Sequence, residues 1–388
     1  MLAAVATHGP LVPADETFTH QILDTFATVA QSDPSWTEKV WCTAHARDGS
    51  LQVVFGVGKY TNRGVFDGSA GVSRGTEQWT VRGSRRLGAD PSGTHVGPLH
   101  YEVVEPLQSV RCVLDPNEHV AISFDVTWRG VTPASLEARW PDRSPDGFRV
   151  SHDILRYHQV GAAEGWVEVD GERTNITPDT WVSIRDHSWG LRPGVGLPIP
   201  GIPHLPRAHQ MLMTWFPMLL QRPDGSQYSL FAYYERRVGE GFDEMRSQAE
   251  ELTTSGDAHR FAAVTPALEF RDDNRRFIGG SITLHDSDGS ARVVQVAPVS
   301  DTGFHLGTGG YFGWKGRMHG QWSGELAVDG EHITGCDQPE VAREVHQLRD
   351  LLVRVDDPVG GGAGLGNLET MAIGAFPELG LTQEASFL

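Results

Sequence analysis

Short stretches of alternating apolar and polar residues are the main pattern along this chain, and they predict β-strands. Many of these stretches are separated by Asp-Gly, which suits the primed turns of antiparallel hairpins because both residues tolerate positive φ. Three such turns have strand patterns beside them: 166–169 before Asp170-Gly171, 281–285 and 291–296 around Asp288-Gly289, and 211–220 and 228–234 around Asp224-Gly225.

Residues 51–60 and 119–128 read as further strands, whereas helical periodicity is scarce. One helix is predicted over 18–30, and the pattern over 340–353 fits a helix or a strand. The class is therefore mostly β, and regularly punctuated antiparallel strands favour barrels or sandwiches, which protect sheet edges. The Gly- and Pro-rich stretch 190–207 reads as an irregular connection between two β domains, which we place at 1–200 and 201–388.

Composition narrows the function classes. The chain has 388 residues and a net charge of −18, so it lacks the basic surface that nucleic-acid binding needs. Cys42, Cys112 and Cys336 are few and widely spaced, which favours reduced thiols in a cytoplasmic protein. The apolar run 211–220 is too short to span a bilayer, and the N-terminus has no basic region typical of a secretory signal.

The segment 181–192 is the strongest candidate for chemistry. Arg185, Asp186, His187 and Trp189 lie within five positions, directly after an apparent strand. Neighbouring cationic groups and burial can hold Asp186 in a chosen protonation state. In a strand, Arg185, His187 and Trp189 would share one face and Asp186 the other, so only one set lines a given cavity. The alternative is a structural ion-pair network in which Trp189 only packs.

The other polar clusters are weaker. The 17 histidines include His204 and His209, five positions apart, but no HxH or HExxH spacing, so no metal site is predicted. His319 and Trp322 form a second polar-aromatic cluster and would face opposite sides of a continuing strand. They are predicted to bind substrate, with an ordinary barrel strand as the alternative.

A series of motifs occurs in order through both halves of the chain: Tyr157-His158-Gln159-Val160-Gly161, Gly165-Trp166, Trp181, Asp186-His187-Ser188-Trp189-Gly190, Tyr311-Phe312-Gly313 and His319-Gly320-Gln321-Trp322-Ser323-Gly324-Glu325. In these motifs the sequence resembles the AttH-like family, which includes carotenoid 1,2-hydratase and is related to fungal Diels–Alderases. The resemblance implies two lipocalin-like antiparallel β-barrel domains with a few short helices and a largely apolar pocket. It also implies hydration, cyclisation or related steps on isoprenoid or polyketide molecules without a bound cofactor.

Two functions follow as hypotheses. In the first, the chain is a hydratase, dehydratase or cyclase: Asp186 is the acid or base, His187 relays its proton, and Trp189, Tyr157 and Arg185 shape the pocket. A carboxyl kept neutral by an apolar pocket can protonate an alkene carbon, and indole faces stabilise the resulting cation. In the second, the same cavity only carries a hydrophobic ligand. A small apolar molecule is the expected partner in both, and a homodimer is compatible with both.

Overall fold

The computed structural model describes most of the chain. It covers residues 13–16, 18, 20, 23–28, 31–88, 93–144, 147–196, 199, 201–202, 208–345 and 348–387. Within these residues strands predominate and helices are short. The predicted mostly β class is therefore confirmed.

The strands of the first half are β1 Trp36–Ala46, β2 Gln52–Tyr60, β3 Val65–Arg74, β4 Glu77–Arg86, β5 His95–Val96, β6 Leu99–Glu105, β7 Ser109–Leu114, β8 Ile122–Gly130, β9 Ser135–Leu136, β10 Asp142–Arg143, β11 Val150–Val169, β12 Glu172–Ile176 and β13 Trp181–Leu191. Those of the second half are β14 Ala208–Gln221, β15 Gln227–Gly239, β16 Phe242–Thr253, β17 Ala258–Phe261, β18 Ala263–Phe270, β19 Phe277–His285, β20 Ala291–Pro298, β21 Phe304–His305, β22 Leu326–Ile333, β23 Arg349–Asp357 and β24 Gly362–Ile373. The described helices are α1 Pro339–Glu344 and 3₁₀ turns at Pro13–Glu16, Thr61–Arg63, Leu306–Gly309 and Pro377–Leu379.

The strands form two antiparallel sheets. The first follows the order β22-β4-β3-β2-β1-β13-β11-β8-β7-β6-β5, with β9, β10 and β12 also paired to β11. The second follows the order β17-β16-β15-β14-β24-β23-β20-β19-β18, with β21 paired to β23. Each sheet curls into a nearly closed barrel, since β5 contacts β3 and β4 near the other end of the first sheet, and β18 contacts β15 and β16 near the other end of the second. The two expected β barrels are therefore confirmed.

Three large hydrophobic cores among the described residues hold this arrangement together. One fills each barrel, and the third lies between the two sheets. The third core contains Trp41, Val182 and Ile184 of the first sheet with Met213 and Trp215 of the second. Burial of these large side chains joins the barrels into one body and fixes which residues of β1 and β13 face the second sheet.

The turn chemistry agrees with most of the expected hairpins. Asp170 and Gly171 have φ values of 52° and 82°, and they connect β11 to β12 as a primed turn requires. Asp288-Gly289 and Asp224-Gly225 likewise lie between paired strands. Asp67-Gly68 and Asp329-Gly330 instead lie inside β3 and β22, where pairing with neighbouring strands sets the backbone.

The two regions with a predicted helical pattern, 18–30 and 340–353, agree less well with the structure than the hairpins do. Residues 23–28 form bends and turns in place of the helix expected over 18–30, part of which lies outside the described residues. The stretch 340–353 holds both predicted alternatives, the end of α1 and the start of β23. The domain limits 1–200 and 201–388 stay a prediction; β22, from the second half of the chain, pairs with β4 in the first sheet.

Candidate functional site

The two faces of β13 divide the predicted site. β13 pairs with β1 on one side and β11 on the other, and Asp186 lies directly opposite Trp41 and His158. Strand alternation places Asp186 on the face that carries Val182 and Ile184 into the core between the sheets. Arg185, His187 and Trp189 point into the first barrel.

Inside the first barrel, the polar side chains of this segment are paired. Arg185 donates from Nε and Nη2 to Gln159 Oε1, at 2.9 and 2.6 Å. His187 Nε2 lies 3.1 Å from Glu38 Oε1, and its Nδ1 lies 3.4 Å from the Tyr157 hydroxyl. The Tyr157 and Trp189 rings pack against each other with centroids 6.4 Å apart. The structure thus brings Tyr157, Arg185, His187 and Trp189 together, and separates them from Asp186.

On the opposite face, the carboxyl of Asp186 has no hydrogen-bond or ion-pair partner within the described residues. The side chain is only partly accessible, and burial raises its pKa from the ordinary value. Arg156 and Arg192 oppose this rise in pKa through their positive charges, while the negative charge of Glu137 reinforces it. Asp186 is therefore a partly accessible acid that holds its proton more tightly than an exposed aspartate.

A pair of acids from the second sheet lies close to Asp186. Asp350 of β23 is directly opposite Glu369 of β24, so the two carboxyls lie on the same face of the sheet and each affects the pKa of the other. Burial raises the pKa of Asp350 to about 6, and burial together with Asp350 raises the pKa of Glu369 well above its ordinary value. The negative charge of Asp186 contributes to both rises. The second barrel therefore adds two acids to the electrostatic environment of Asp186.

Buried hydrogen bonds fix the Asp350 side of the site. Trp41 Nε1 donates to Asp350 Oδ2 at 2.8 Å, and Asn367 Nδ2 donates to Asp350 Oδ1 at 2.8 Å. Asn367 Oδ1 in turn lies 3.0 Å from His45 Nε2. Gly56 of β2 leaves room for the Trp41 ring, because a Cβ there would lie 2.6 Å from the indole. These contacts link the two sheets through polar groups as well as through the shared core.

Aromatic rings surround the acids. Trp41 lies 6.3 Å, between ring centroids, from Tyr311, and Trp215 lies directly opposite Glu369 on β14. The guanidinium of Arg156 stacks over the Trp215 ring at 5.3 Å. The site therefore combines proton donors with π faces that attract positive charge.

His319 and Trp322 do not lie on a continuing strand, because residues 318–324 form an irregular segment before β22. His319 is buried against Tyr311 with ring centroids 4.6 Å apart, and burial lowers its pKa to about 4. Trp322 is 47% exposed and packs under the guanidinium of Arg86. Only His319 lies near the Asp186 face.

A cavity of about 50 Å³ adjoins His319, and its walls include Asp67, Gly309, Gly310 and Trp314. Among the described residues, no three His, Cys, Asp or Glu side chains are grouped to hold a metal ion. Cys42, Cys112 and Cys336 are buried and are not joined by a disulfide.

Sequence reasoning missed several residues from other parts of the fold that interact electrostatically with Asp186: Lys39, Glu137, Arg156, Asp350 and Glu369. A carboxyl within an otherwise apolar strand pattern was the available signal for Asp350 and Glu369. For Lys39 the signal was the rarity of lysine in the chain. Neither signal shows which strands meet.

These features define a class: proteins with two antiparallel β barrels and an enclosed group of acids and aromatic rings between them. The chain belongs to a family of unknown function, DUF8625, whose model matches residues 11–382. Comparison with curated proteins finds no match. No helix in the described residues is long and apolar enough to cross a membrane.

Among solved structures, the chain is similar to one assigned as AttH from Nitrosomonas europaea, with a TM-score of 0.52, 14% identity, and coverage of 87% of this chain and 92% of that one. It is also similar to kievitone hydratase from Nectria haematococca, with a TM-score of 0.42, 13% identity, and coverage of 87% and 89%. A third is the structure of CghA with Sch210972, with a TM-score of 0.47, 13% identity, and coverage of 88% and 89%. The fold that the sequence resemblance implied is therefore confirmed by the first of these structures.

Proposed function

We propose that this chain is a cofactor-independent lyase, hydratase or cyclase that acts by acid–base chemistry on a hydrophobic small molecule of isoprenoid or polyketide type. The observation that carries the proposal is the Asp186 carboxyl. It lies between the sheets without an ion-pair partner among the described residues, it remains partly accessible, and burial raises its pKa. Protonated carboxyls of this kind serve as general acids.

Asp186 would donate its proton to an alkene carbon or to a leaving hydroxyl group. The positive charges of Arg156 and Arg192 favour the carboxylate that remains after transfer, because both lower the pKa of Asp186. That carboxylate can then take a proton from water, in a hydration, or from a neighbouring carbon, in an isomerisation or cyclisation. One residue thus serves as acid and then as base.

The aromatic rings would stabilise the positive charge that proton transfer creates on the substrate. Trp41 is the lateral neighbour of Asp186 on β1, so an alkene protonated by Asp186 would develop its charge close to an indole. Cation–π attraction contributes roughly 0.5–2 kcal/mol for such a pair, depending on desolvation. This selects for a substrate whose reacting carbon becomes electron-deficient.

The roles predicted for Tyr157, Arg185, His187 and Trp189 stay predictions. They lie on the other face of β13, and the mechanism above takes no proton from them. Binding of substrate by His319 fits the proposal through Tyr311, because Tyr311 contacts His319. Burial raises the pKa of Tyr311, and the negative charge of Asp186 adds to this rise.

The test uses an apolar extract of the source organism, incubated with the wild-type protein, the Asp186→Asn variant and an Asp115→Asn control. Asp115 is exposed and pairs with His100 at 2.9 Å, away from the site. We expect the wild type and the control to convert one apolar compound into a product that differs by one water or into an isomer, and Asp186→Asn to lose that conversion.

Chromatography with mass spectrometry measures both compounds. If all three proteins retain an apolar compound and release it unchanged, the chain is a carrier and the proposal is wrong. Conversion at the wild-type rate by Asp186→Asn removes Asp186 from the mechanism.

A further inference from the structure

Lysine is rare in this chain, and one lysine is buried. Of the 32 Lys and Arg residues, 29 are arginine, and the lysines are Lys39, Lys59 and Lys315. Lys59 and Lys315 have carboxylate partners at 3.6 and 2.6 Å. Lys39 is 6% exposed, and its Nζ has no hydrogen-bond partner among the described residues. A buried ammonium without a hydrogen-bond partner is costly, so the retention of Lys39 indicates a role other than stability.

Lys39 lies on the same face as Asp186, opposite Ser188 in the pairing of β1 with β13. Its Nζ is 4.2 Å from the centroid of the Tyr311 ring, which covers it. Two further buried polar atoms near it lack hydrogen-bond partners in the described structure, Asp67 Oδ1 and His319 Nε2. The cavity of about 50 Å³ is lined by Asp67 and His319. Asp67 and His319 therefore bring spare hydrogen-bonding capacity to one small hollow. Lys39 lies in the same row across the sheet as Asp67, and Gly58 between them has no side chain to separate the amine from the carboxylate.

The surroundings favour the neutral amine. Burial, with the positive charge of Arg192, lowers the pKa of Lys39 to about 7, although nearby acids oppose this fall. The charged and titratable groups that face it are Asp67 on β3, Asp186 on β13, Arg192 after β13, Glu369 on β24, and Tyr311 and His319 before β22. Compared with a lysine of ordinary pKa near 10.4, this gives about a 1000-fold larger neutral fraction at pH 7. A neutral, desolvated amine is a nucleophile for carbonyl carbon.

We propose that Lys39 captures the carbonyl group of an aldehyde or ketone ligand as an imine. Nζ forms a bond to the carbonyl carbon, and the C–O bond of the resulting carbinolamine breaks. The two hydrogens of the neutral amine end on the oxygen, which leaves as one molecule of water. Asp67 and His319 are placed to move these protons, and the hollow beside them has room for the water.

This inference is independent of the role of Asp186. It identifies the ligand by a carbonyl group, whereas the acid–base proposal requires an alkene or a leaving hydroxyl. The ring of Tyr311 must move aside for a carbonyl carbon to reach Nζ, so removal of that ring is expected to speed capture.

The experiment treats the full-length protein with butyraldehyde and sodium cyanoborohydride, which reduces an imine to a stable secondary amine. Peptide mass spectrometry then reports the modified fraction of Lys39, Lys59 and Lys315 over time. We expect Lys39 to react at least about tenfold faster than the other two at pH 7, since part of its larger neutral fraction is offset by burial. In urea the three lysines are expected to react at similar rates.

The pH profile and two variants sharpen the result. The Lys39 rate is expected to level off above about pH 7, whereas the rates of Lys59 and Lys315 keep rising with pH. Tyr311→Ala is expected to raise the Lys39 rate severalfold, and Asp186→Asn to leave trapping in place. Equal or slower reaction of Lys39 in both the wild type and Tyr311→Ala overturns the inference. Loss of extract conversion in Asp186→Asn with trapping retained separates the two proposals.

Discussion

Glu137 and Asp186 are two enclosed carboxyls that both interact with Arg156, and they differ in almost every contact. Glu137 accepts hydrogen bonds from Trp215 Nε1 at 2.9 Å and from Arg156 Nε at 2.7 Å. Burial raises the pKa of Glu137, but Arg156 and His158 outweigh this effect and lower the value to about 2. Asp186 has no such bonds among the described residues, and its pKa is raised.

The difference separates a structural acid from a reactive one. Breaking the hydrogen bonds and ion pair of a buried carboxylate costs several kcal/mol, so such a carboxylate holds its partners in place. A partly accessible carboxyl without hydrogen-bond or ion-pair partners adds no stability to the fold when it is ionised, and it is available to a ligand. Such local conflicts with stability are expected at functional sites. Glu137 therefore joins β9, β11 and β14, whereas the contacts of Asp186 are those that the proposed reaction requires of its acid.

The largest expected effect is on Glu137. Glu137→Gln leaves the partly buried Arg156 without its carboxylate, and loss of one partner from a buried pair costs roughly 3–5 kcal/mol. We expect the free energy of unfolding in urea to fall by about this amount at pH 7. Because the folded pKa of Glu137 lies below the unfolded value, the stability it contributes is present above about pH 4.5 and lost as the pH falls towards 2.

The matched control for this variant is Glu164→Gln, whose carboxylate pairs with Arg129 at 2.6 Å on the surface. An exposed pair contributes about 0–1 kcal/mol. If Glu137→Gln costs no more than Glu164→Gln, Glu137 is not the structural acid described here.

Asp186→Asn is expected to shift stability in the opposite direction. The folded state raises the pKa of Asp186, so the native protein binds the proton more tightly than the unfolded chain, and stability falls as the pH rises through the folded pKa. Asparagine does not titrate, so the variant does not lose stability at this position as the pH rises. We expect a thermal midpoint at pH 7 equal to or above that of the wild type, with the difference disappearing at low pH. A clear drop in the midpoint at pH 7 would mean that Asp186 is structural.

A smaller effect is expected in the Asp350–Glu369 pair. The pKa of Asp350 is about 6 in the folded protein, so stability falls as the pH rises from about 3.8 through 6. Glu369→Gln removes a carboxyl whose pKa burial and Asp350 raise in the folded protein, so the part of the slope that Glu369 contributes should disappear. Urea unfolding at several pH values measures it, with Glu164→Gln as the control that keeps the wild-type slope. An unchanged slope would show that the folded protein does not raise the pKa of Glu369.

The strands and the two faces of β13 could be predicted from the sequence, because alternation and Asp-Gly turns are local features. The partners of Asp186 could not. Asp350 and Glu369 follow it by more than 150 positions, and they reach it only because the third core packs β23 and β24 against β1. His319 shows a further limit: Gly320, with a φ of 69°, turns the chain where strand periodicity predicted continuation. Local pattern gives the elements, whereas packing between the sheets gives the site.

The smallest expected effect lies on the barrel face of β13, at His187. Its ion pair with Glu38 has side chains 26% and 40% exposed, so His187→Gln should cost less than about 1 kcal/mol in urea unfolding. The hydrogen bond from His187 is the largest cause of the lowered pKa of Glu38, and that pKa should therefore rise in the variant, as NMR titration of the Glu38 carboxyl would show. The His187→Gln variant also tests the prediction that His187 relays the proton of Asp186. Loss of extract conversion with stability intact would place His187 in the proton path of Asp186, through a movement that joins the two faces. Conversion at the wild-type rate would confine the chemistry to the face between the sheets.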